Sequence, residues 1–418
     1  MFNGNKFQVH WEPSDRCNSR CPMCPRYDDK GYETKYLSNT EWTLDQFKKA
    51  WPLDFLSINL KKILSCGNFG DPCACREFVD IYEYVREVNP MIGLACNTNA
   101  SLRQPDWWAR LGAVMTKEQN KGNYCTFSID GLKDTNHIYR RNTDFDKIIE
   151  NAKAFIDAGG VAHWDFIVFR HNEHQVEEAR DLARSLGFEN FNIKKTTRWQ
   201  RYDDGIGAYK VYHNGEYIYD LQQPSDKTFR HHFEDATMFK GEERQSFRPT
   251  DFQNMVGIHN SEHRWVGDGY QEIDLHKLNI ACRSSAGARI NYYNEIYISA
   301  DGTVHPCCFL GSEIIRSYSR PDVDLNYLDM LKLDGGYDQF NMHKHNLWDI
   351  LDRKTFREYL PSSWDLEKGN VSMRPQKCGA CCGVEWNCLD FGELGDKSEG
   401  YFVKEDAKVE AEESENGI

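Results

Sequence analysis

The sequence predicts an α/β protein built on a parallel sheet and followed by a smaller cysteine-rich region. Two observations predict this class. Six strand-like segments alternate with helical segments through the first half of the 418 residues, as in folds whose strands are joined by helical crossovers. Cysteines are again frequent in the last third of the chain, after a long stretch without sustained periodicity. A chain of this length allows two or three domains.

Apolar residues at three- and four-residue spacing identify the helical segments, and short apolar runs identify the strands. The predicted strands cover residues 7–11, 62–66, 92–97, 124–129, 163–169 and 190–195. The predicted helices cover residues 44–50, 77–88, 145–158 and 175–186. Gly159-Gly160 and Gly187 end the last two helices. Functional residues of such sheets gather at the carboxyl ends of the strands, so the loops after these strands are candidate sites.

The second half divides into three predicted parts. Residues 198–280 are rich in Tyr, Trp, His, Asp and Gly and are interpreted as an insertion or lid. Residues 281–393 form the cysteine-rich region. Within it, segments 295–298 and 303–305 predict a hairpin around an Asp-Gly turn. Residues 394–418 are predicted to be an acidic, flexible tail.

Charge and hydropathy exclude several classes. The chain has 65 acidic and 51 basic residues, a formal charge of -14, which argues against a large nucleic-acid interface because phosphate binding depends on Lys and Arg. No run approaches the ~18 apolar residues that span a bilayer, and the first residues do not have the pattern of an export signal. We therefore expect a cytoplasmic protein that does not bind membranes.

The 15 cysteines favour metal ligation over a disulfide scaffold in a chain without an export signal. Cys17, Cys21 and Cys24 follow the first strand with C-x3-C-x2-C spacing. Three thiolates can bind three irons of a [4Fe-4S] cluster and leave the fourth iron open to a substrate. A zinc loop is the alternative, although structural zinc normally takes four ligands. Three other cysteines lie in apolar strand-like runs and are expected in the core: Cys66, Cys96 and Cys125.

The cysteine triplet after the first strand resembles the signature of the radical S-adenosylmethionine (radical SAM) superfamily. The resemblance covers approximately residues 7–195 and implies a partial (β/α)6 barrel, a [4Fe-4S] cluster on the triplet and bound S-adenosylmethionine. The loop after the second strand looks like the family's Gly-Gly-Glu-Pro motif, with Asp71 in the place of Glu. By resemblance this loop holds the amino group of the cosubstrate through Gly67, Asn68, Phe69, Gly70 and Asp71.

Three further cosubstrate contacts are implied by the same resemblance. Ser128 and Asp130 end the fourth strand, where the family contacts the ribose, and Asn172 lies where it contacts the adenosine. Met23 stands where the family commonly has an aromatic residue near adenine, and a thioether can also pack on a ring. The Arg140-Arg141 pair is interpreted as a helix start or a carboxylate contact.

The later cysteines resemble the SPASM and twitch domains, which hold auxiliary iron–sulfur clusters. Residues 302–307 match their G-x4-C element. The resemblance implies one auxiliary [4Fe-4S] cluster, whose predicted ligands are Cys282, Cys307, Cys378 and Cys381. Whether a further thiol takes part is open for Cys308, Cys382 and Cys388. A zinc ribbon is the alternative, since it also takes four cysteines in two pairs.

The resemblance implies reductive cleavage of S-adenosylmethionine to a 5′-deoxyadenosyl radical, which abstracts hydrogen from a peptide or small molecule. The auxiliary cluster would accept an electron or position the substrate, and a reductant such as flavodoxin or ferredoxin would be a partner. Because the barrel begins near residue 7, a peptide substrate is expected to come with a separate recognition protein. The alternatives are a sugar or aminocyclitol dehydrogenase, a radical methyltransferase, and a non-enzymatic iron–sulfur or zinc protein for electron transfer or as an adaptor.

Overall fold

The computed structural model describes residues 6–196, 198–199, 201–202, 205–206, 208–230, 263–266, 269–272, 279–280, 282, 284, 293–317, 326–367 and 369–384. Two sequence predictions lie outside these residues: the acidic tail at 394–418 and the role of Cys388. The side chain of Cys381 also lies outside the described part of the chain.

One eight-stranded sheet organises the molecule. Its first six strands follow the chain: β1 (Lys6–Trp11), β2 (Leu60–Ser65), β3 (Gly93–Thr98), β4 (Tyr124–Ser128), β5 (Ala162–Ile167) and β6 (Asn190–Lys194). Each pairs in parallel with the next. The six predicted strands are therefore confirmed, with ends that differ by at most two residues. This is the barrel-like parallel sheet that the sequence predicts, and it brings the loops after β1 to β5 to one edge.

Helices cover the sheet between these strands: α1 (Leu44–Ala50), α2 (Phe78–Val88), α3 (Pro105–Val114), α4 (Asn136–Tyr139), α5 (Phe145–Asp157) and α6 (Val176–Leu186). Local chemistry sets their ends. Thr43 and Gln46 form a capping box at the start of α1, and Gly187 ends α6 at a φ of 89°, a backbone conformation that glycine adopts freely. The sequence prediction missed α3 and α4. Trp108 on α3 is fully buried, as expected for a packing residue.

The core between α1, α2 and the sheet is mostly aromatic. Trp11 packs edge-on against Trp42 and Trp51, with ring centroids 6.1 and 6.2 Å apart. Phe47 stacks on Trp51 at 4.6 Å. These rings anchor the end of β1, which leads into the cysteine triplet. Further along the sheet, Cys96 and Cys125 are fully buried as predicted, whereas Cys66, which follows β2, is only half-buried.

Short strands occupy much of the described part of the predicted insertion. They are β7 (Arg201–Tyr202), β8 (Gly205–Ile206), β9 (Tyr209–His213), β10 (Glu216–Leu221), β11 (His263–Val266), β12 (Gly269–Glu272) and β13 (Asn279–Ile280). β9 and β10 form an antiparallel hairpin, and so do β11 and β12. The insertion is thus partly built of hairpins, which a search for sustained periodicity does not detect.

The predicted C-terminal hairpin is present and belongs to the main sheet. Its strands are β14 (Tyr293–Ile298) and β15 (Val304–His305), which pair antiparallel around the Asp-Gly turn. β14 also pairs in parallel with β1 along its whole length, from Lys6 opposite Tyr293 to Trp11 opposite Ile298. The sheet order is therefore β15-β14-β1-β2-β3-β4-β5-β6. The cysteine-rich region thus adds two strands to the sheet on the far side of β1 from β2.

The remaining C-terminal elements are mainly short helices: α7 (Cys308–Ser317), α8 (Asn326–Leu333), α9 (Leu347–Leu351), α10 (Leu360–Trp364) and α11 (Gln376–Cys382), followed by strand β16 (Gly383–Val384). The indole nitrogen of Trp348 in α9 donates to Asp54 Oδ2 at 2.9 Å. The indole of Trp42 donates to the carbonyl of Ser299 at 3.4 Å. These bonds fix the C-terminal helices and the hairpin turn against the first half of the chain. In the described residues no helix is long and apolar enough to cross a membrane.

Candidate radical site and auxiliary cysteine site

The cysteine triplet lies in the loop between β1 and α1. Cys17 and Cys24 are half-buried and Cys21 is buried. Burial raises the pKa of the Cys17 thiol well above its usual value, and the neighbouring carboxyl of Asp71 and the other two thiols raise it further. Among the described residues, no three His, Cys, Asp or Glu side chains are placed to hold a single metal ion. The effect of the other two thiols on the pKa of Cys17 shows that the three thiols lie near one another. A cationic partner would stabilise their ionised forms.

A buried ion pair lies beside Cys21. Arg140 Nε is 2.5 Å from Asp130 Oδ2, and the Asp130 side chain is completely buried. The backbone amide of Ile167 donates to Asp130 Oδ1. Arg140 Nη1 is 3.6 Å from Cys21 Sγ. Arg140 is thus the carboxylate contact that the sequence suggests, and its partner is the Asp130 predicted to face the ribose.

Asn172 joins the ends of β4 and β5. Its Nδ2 donates to the carbonyls of Asp130 and Ile167, each at 2.9 Å, and its Oδ1 accepts from the amide of Phe169 at 2.7 Å. The side chain is fully buried. Asn172, for which an adenosine contact is predicted, thus also holds the strand ends together, and Ser128 is the half-buried last residue of β4.

A carboxyl group that the sequence analysis missed holds the loop after β2. Glu12 Oε1 accepts from the backbone amides of Phe69 and Gly70 at 2.8 and 2.9 Å. The hydroxyl of Tyr297 on β14 donates to the other oxygen of Glu12. Burial raises the pKa of Glu12 to about 7. The only sequence signal for this role is a lone acidic residue that directly follows an apolar strand.

Glycine is required in this loop because other backbone segments of the chain approach it closely. A Cβ on Gly70 would lie 1.8 Å from the carbonyl oxygen of Ser14, and one on Gly67 would lie 2.2 Å from the carbonyl oxygen of Gly70. The side chain of Asn68 donates to the backbone carbonyl of Cys308 at 2.8 Å. The loop is therefore packed between the cysteine loop and the C-terminal region.

Asp71 is enclosed by hydrogen-bond donors of the chain itself. Its carboxylate accepts from the amide of Cys73 at 2.9 Å, from the hydroxyl of Thr98 at 2.8 Å, and from the amide and side chain of Asn99, each at 2.8 Å. Asn99 Nδ2 also lies 3.7 Å from Cys17 Sγ. Asp71 thus connects the loop after β2 to the end of β3 and, through Asn99, to the triplet. Asn99 is a second residue that the sequence analysis missed.

Met23 lies in a small apolar cluster under the insertion. The cluster contains the buried side chains of Cys21, Met23, Tyr139, Phe169, Val211 and Leu221. Arg198 donates to the backbone carbonyl of Met23, and the hydroxyl of Tyr209 donates to that of Pro22, both at 3.0 Å. The described part of the insertion therefore contacts the cysteine loop through these two residues.

Four cysteines of the C-terminal region come together around a cavity. Cys282, Cys307, Cys378 and Cys382 all line it. A hydrogen bond with Cys282 raises the pKa of the Cys382 thiol well above its usual value, and burial and the other two thiols add to this. Cys378 and Cys382 are four residues apart in α11 and so lie on one face of that helix. Three of the four predicted auxiliary ligands are thus neighbours, and Cys382 is beside them.

Comparison with known families now bears on both cysteine sites. A family model described as the radical SAM superfamily matches residues 11–183. A second model, SPASM, described as an iron–sulfur cluster-binding domain, matches residues 291–382. The first contains the triplet and the second contains Cys307, Cys378 and Cys382. The chain belongs to the radical SAM superfamily and carries a SPASM domain.

Solved radical SAM structures are similar at low sequence identity. Streptococcus suis SuiB is 14% identical over 73% of this chain, with a TM-score of 0.41, and this chain spans 61% of its length. The enzyme anSMEcpe with bound AdoMet is 14% identical, with a TM-score of 0.47 and coverage of 95% and 98% of the two chains. BtrN in complex with AdoMet and 2-DOIA is 12% identical, with coverage of 91% and 94% and a TM-score of 0.35. No curated protein matches this chain.

Membership implies that this chain binds a [4Fe-4S] cluster, S-adenosylmethionine and an additional iron–sulfur cluster. The residues present fit these groups. Thiols are the ligands of iron–sulfur clusters, and each site gathers three or more of them in a buried environment. The fold and the cofactor predictions are therefore confirmed.

Proposed function

We propose that this radical SAM enzyme abstracts hydrogen from a peptide or small-molecule substrate, and that its auxiliary cluster accepts an electron or positions that substrate. The observation that supports this most strongly is the bond from Asn68 to the carbonyl of Cys308. Asn68 belongs to the predicted cosubstrate loop, and Cys308 follows Cys307 directly. A substrate held near this contact would be close to the cosubstrate and the auxiliary site at once.

When bound, the barrel cluster and S-adenosylmethionine would supply one-electron radical chemistry. The chain's own residues prepare the place for it. Cys17, Cys21 and Cys24 would hold the cluster, Glu12 and Asp71 fix the loop that receives the amino group of the cosubstrate, and the hairpin β9–β10 limits access of water from the side of Met23. Such preorganisation is the protein's main contribution when a cofactor supplies the reactive species.

We further propose that Cys282, Cys307, Cys378 and Cys382 ligate the auxiliary cluster, with Cys381 as the alternative fourth ligand. The hydrogen bond between the Cys382 and Cys282 thiols supports Cys382. So does the position of Cys382 one turn after Cys378 on the same face of α11. A further thiol of the described part of this region, that of Cys308, lies at the start of α7.

The activity is tested with anaerobically reconstituted protein. We expect the wild type to form 5′-deoxyadenosine from S-adenosylmethionine and dithionite. Changing Cys17, Cys21 and Cys24 together to Ala should remove the iron of one cluster and abolish 5′-deoxyadenosine formation. The control Cys125→Ala, which changes a buried cysteine outside the two cysteine sites, should keep the iron content and the product formation of the wild type. Product formation at the wild-type rate in the triple variant would disprove the assignment. A non-enzymatic iron–sulfur protein would form no product at all.

The substrate class can be found by following the abstracted hydrogen. Cell extract from a culture grown on deuterated medium is separated into a peptide fraction and a small-molecule fraction, and each is incubated with the enzyme. The fraction that contains the substrate should transfer deuterium into 5′-deoxyadenosine, which mass spectrometry detects. Deuterium from the peptide fraction alone supports a peptide substrate, and deuterium from the other fraction alone supports the sugar or aminocyclitol alternative.

A further inference from the structure

A broad surface cleft adjoins the first cysteine of the triplet. Its volume is about 760 Å³, and its walls come from the loops after β1, β2 and β3 and from the start of α3. Cys17 itself forms part of the wall. The predicted adenosine and ribose contacts lie at the ends of β4 and β5, on other strands. The cleft therefore approaches the triplet from a different set of loops than those expected to hold the nucleoside.

The cleft presents positive charge to solvent. Arg16 and Arg76 both pair with Glu41 Oε1, at 2.9 and 2.8 Å. The side chains of the two arginines are 48% and 75% exposed, whereas that of Glu41 is only 6% exposed. Asp106 is the other carboxylate in the walls. The shared carboxylate thus lies beneath two guanidinium groups, which carry the charge at the surface.

A third arginine of the cleft is held rigidly. Arg103 donates to the carbonyls of Cys73 and Ala74 at 2.8 and 3.2 Å, and its guanidinium lies 5.7 Å from the centre of the Trp107 ring. Such a fixed guanidinium loses little side-chain entropy when it meets an anion. The chain as a whole is acidic, with a net charge of -14. The three arginines near Cys17 therefore form a locally basic surface on an acidic protein.

We propose that this cleft is the docking site of an acidic electron-carrier protein, of the flavodoxin or ferredoxin class, that reduces the cluster on the triplet. The inference rests on the proposed function, because only a protein that cleaves S-adenosylmethionine reductively needs this electron. In each turnover the carrier loses one electron and the cleaved carbon–sulfur bond takes it up, with methionine as the leaving group. Opposite charges on the carrier and the cleft would speed their association. Cys17, a predicted ligand of the cluster that accepts the electron, lies in the wall of the cleft and so would be close to the docked carrier.

The test compares a small and a protein reductant on reconstituted holoenzyme. The rate of 5′-deoxyadenosine formation is measured with either reduced flavodoxin or dithionite as the electron donor. The proteins compared are the wild type and the variants Arg76→Gln, Arg76→Glu and Arg184→Glu. Arg184 is the matched control, since its side chain is 72% exposed and pairs with one carboxylate at 2.8 Å, but it lies on α6. Titration calorimetry with oxidised flavodoxin measures binding independently of turnover.

We expect Arg76→Glu to lower the flavodoxin-driven rate at least tenfold at low ionic strength and to weaken flavodoxin binding similarly, with Arg76→Gln intermediate. The difference should shrink as salt rises. Dithionite-driven rates and the Arg184→Glu variant should match the wild type. The docking site would be overturned if Arg184→Glu lost as much flavodoxin-driven rate as Arg76→Glu. It would also be overturned if Arg76→Glu lost the dithionite-driven rate as well, or if its flavodoxin-driven rate were unchanged. Absence of product with dithionite in the wild type would instead disprove the proposed function.

Discussion

Arg140 connects the end of β4 to the cysteine triplet. It pairs with the completely buried carboxylate of Asp130 at 2.5 Å and lies 3.6 Å from Cys21 Sγ. A guanidinium in this position balances both the carboxylate and the charge of a ligated thiolate. Because removal of one partner leaves the other charge buried and unpaired, the pair is costly to break.

We predict that Arg140→Gln destabilises the protein by about 3 kcal/mol and lowers the iron content of the barrel site. Arg141→Gln is the matched control, because Arg141 is the next residue in the chain but is not the partner of Asp130. Chemical unfolding followed by circular dichroism, together with iron analysis, measures both effects. Equal and small changes in the two variants would show that the ion pair does not stabilise the site.

Asp71 makes the second residue-level prediction. Asp71→Ala leaves the donors of Cys73, Thr98 and Asn99 without their acceptor, and each buried unpaired group costs about 1–3 kcal/mol. We expect lower stability and at least tenfold weaker binding of S-adenosylmethionine by calorimetry. Asp71→Asn, which keeps one carbonyl oxygen, should lose less of each. Weaker binding at unchanged stability would indicate a direct contact with the cosubstrate in place of a positioning role.

At the scale of elements, Glu12 ties the end of β1 to the loop after β2 and to β14. Burial raises its pKa from an ordinary value of 4.5 to about 7 in the folded protein. The folded state therefore binds the proton more tightly than the unfolded state between these two values. The contribution of Glu12 to stability is present below pH ~4.5 and is lost as the pH rises through about 7.

We predict that Glu12→Gln is less sensitive to pH than the wild type. Between pH 5 and pH 8, the wild type should lose up to about 3 kcal/mol of unfolding free energy relative to this variant. This is the free energy that corresponds to the rise of the Glu12 pKa from 4.5 to about 7. Chemical unfolding at several pH values measures this. A parallel pH dependence of the two proteins would show that Glu12 does not titrate in this range. Tyr297→Phe, which removes the hydroxyl donor, should raise the pKa of Glu12 further.

Helix α11 carries the next prediction, which concerns the auxiliary site. Cys382→Ala should lower the iron content of the auxiliary site, because one of its four thiolates is lost, while uncoupled cleavage of S-adenosylmethionine continues at the barrel. Cys308→Ala is the control and should keep both clusters. Full iron in Cys382→Ala together with loss in Cys381→Ala would assign the fourth ligand to Cys381. A thermal melt separates ligand loss from unfolding, since metal binding and folding are coupled.

At the scale of the whole molecule, β14 makes the C-terminal region part of the sheet that holds the radical site. It pairs with β1 over six residues of each strand. A chain that ends at residue 230 would expose the backbone of β1 along this edge. Exposed hydrophobic sheet edges pair with other molecules.

We therefore predict that a chain truncated after residue 230 associates into aggregates, whereas one truncated after residue 384, which keeps β14, elutes like the full-length protein. Size-exclusion chromatography with light scattering measures both. A monomeric, folded fragment of 230 residues would show that β1 is stable without its partner. The second truncation also removes the acidic segment at 394–418, which the sequence predicts to be a flexible tail.

The sequence by itself determined the six strands, four of the six helices between them, the family and the two cysteine groups. These features depend on neighbouring residues: apolar periodicity within one element, turn chemistry at Gly187 and Gly302, and the spacing of Cys17, Cys21 and Cys24. Their physics is local, so it can be read along the chain. The helix α3 escaped because its two adjacent tryptophans obscure the helical period.

Only the tertiary structure decided how these features meet. Glu12 and Tyr297 are 285 residues apart, and Asn68 and Cys308 are 240 apart. Cys382 and Cys282 come together because α11 packs against β13, which lies just before Cys282, and against α7. β14 pairs with β1 although no local pattern specifies that neighbour. Such contacts are set by the burial of whole apolar faces and by the pairing of buried polar groups, which depend on the packed chain as a whole.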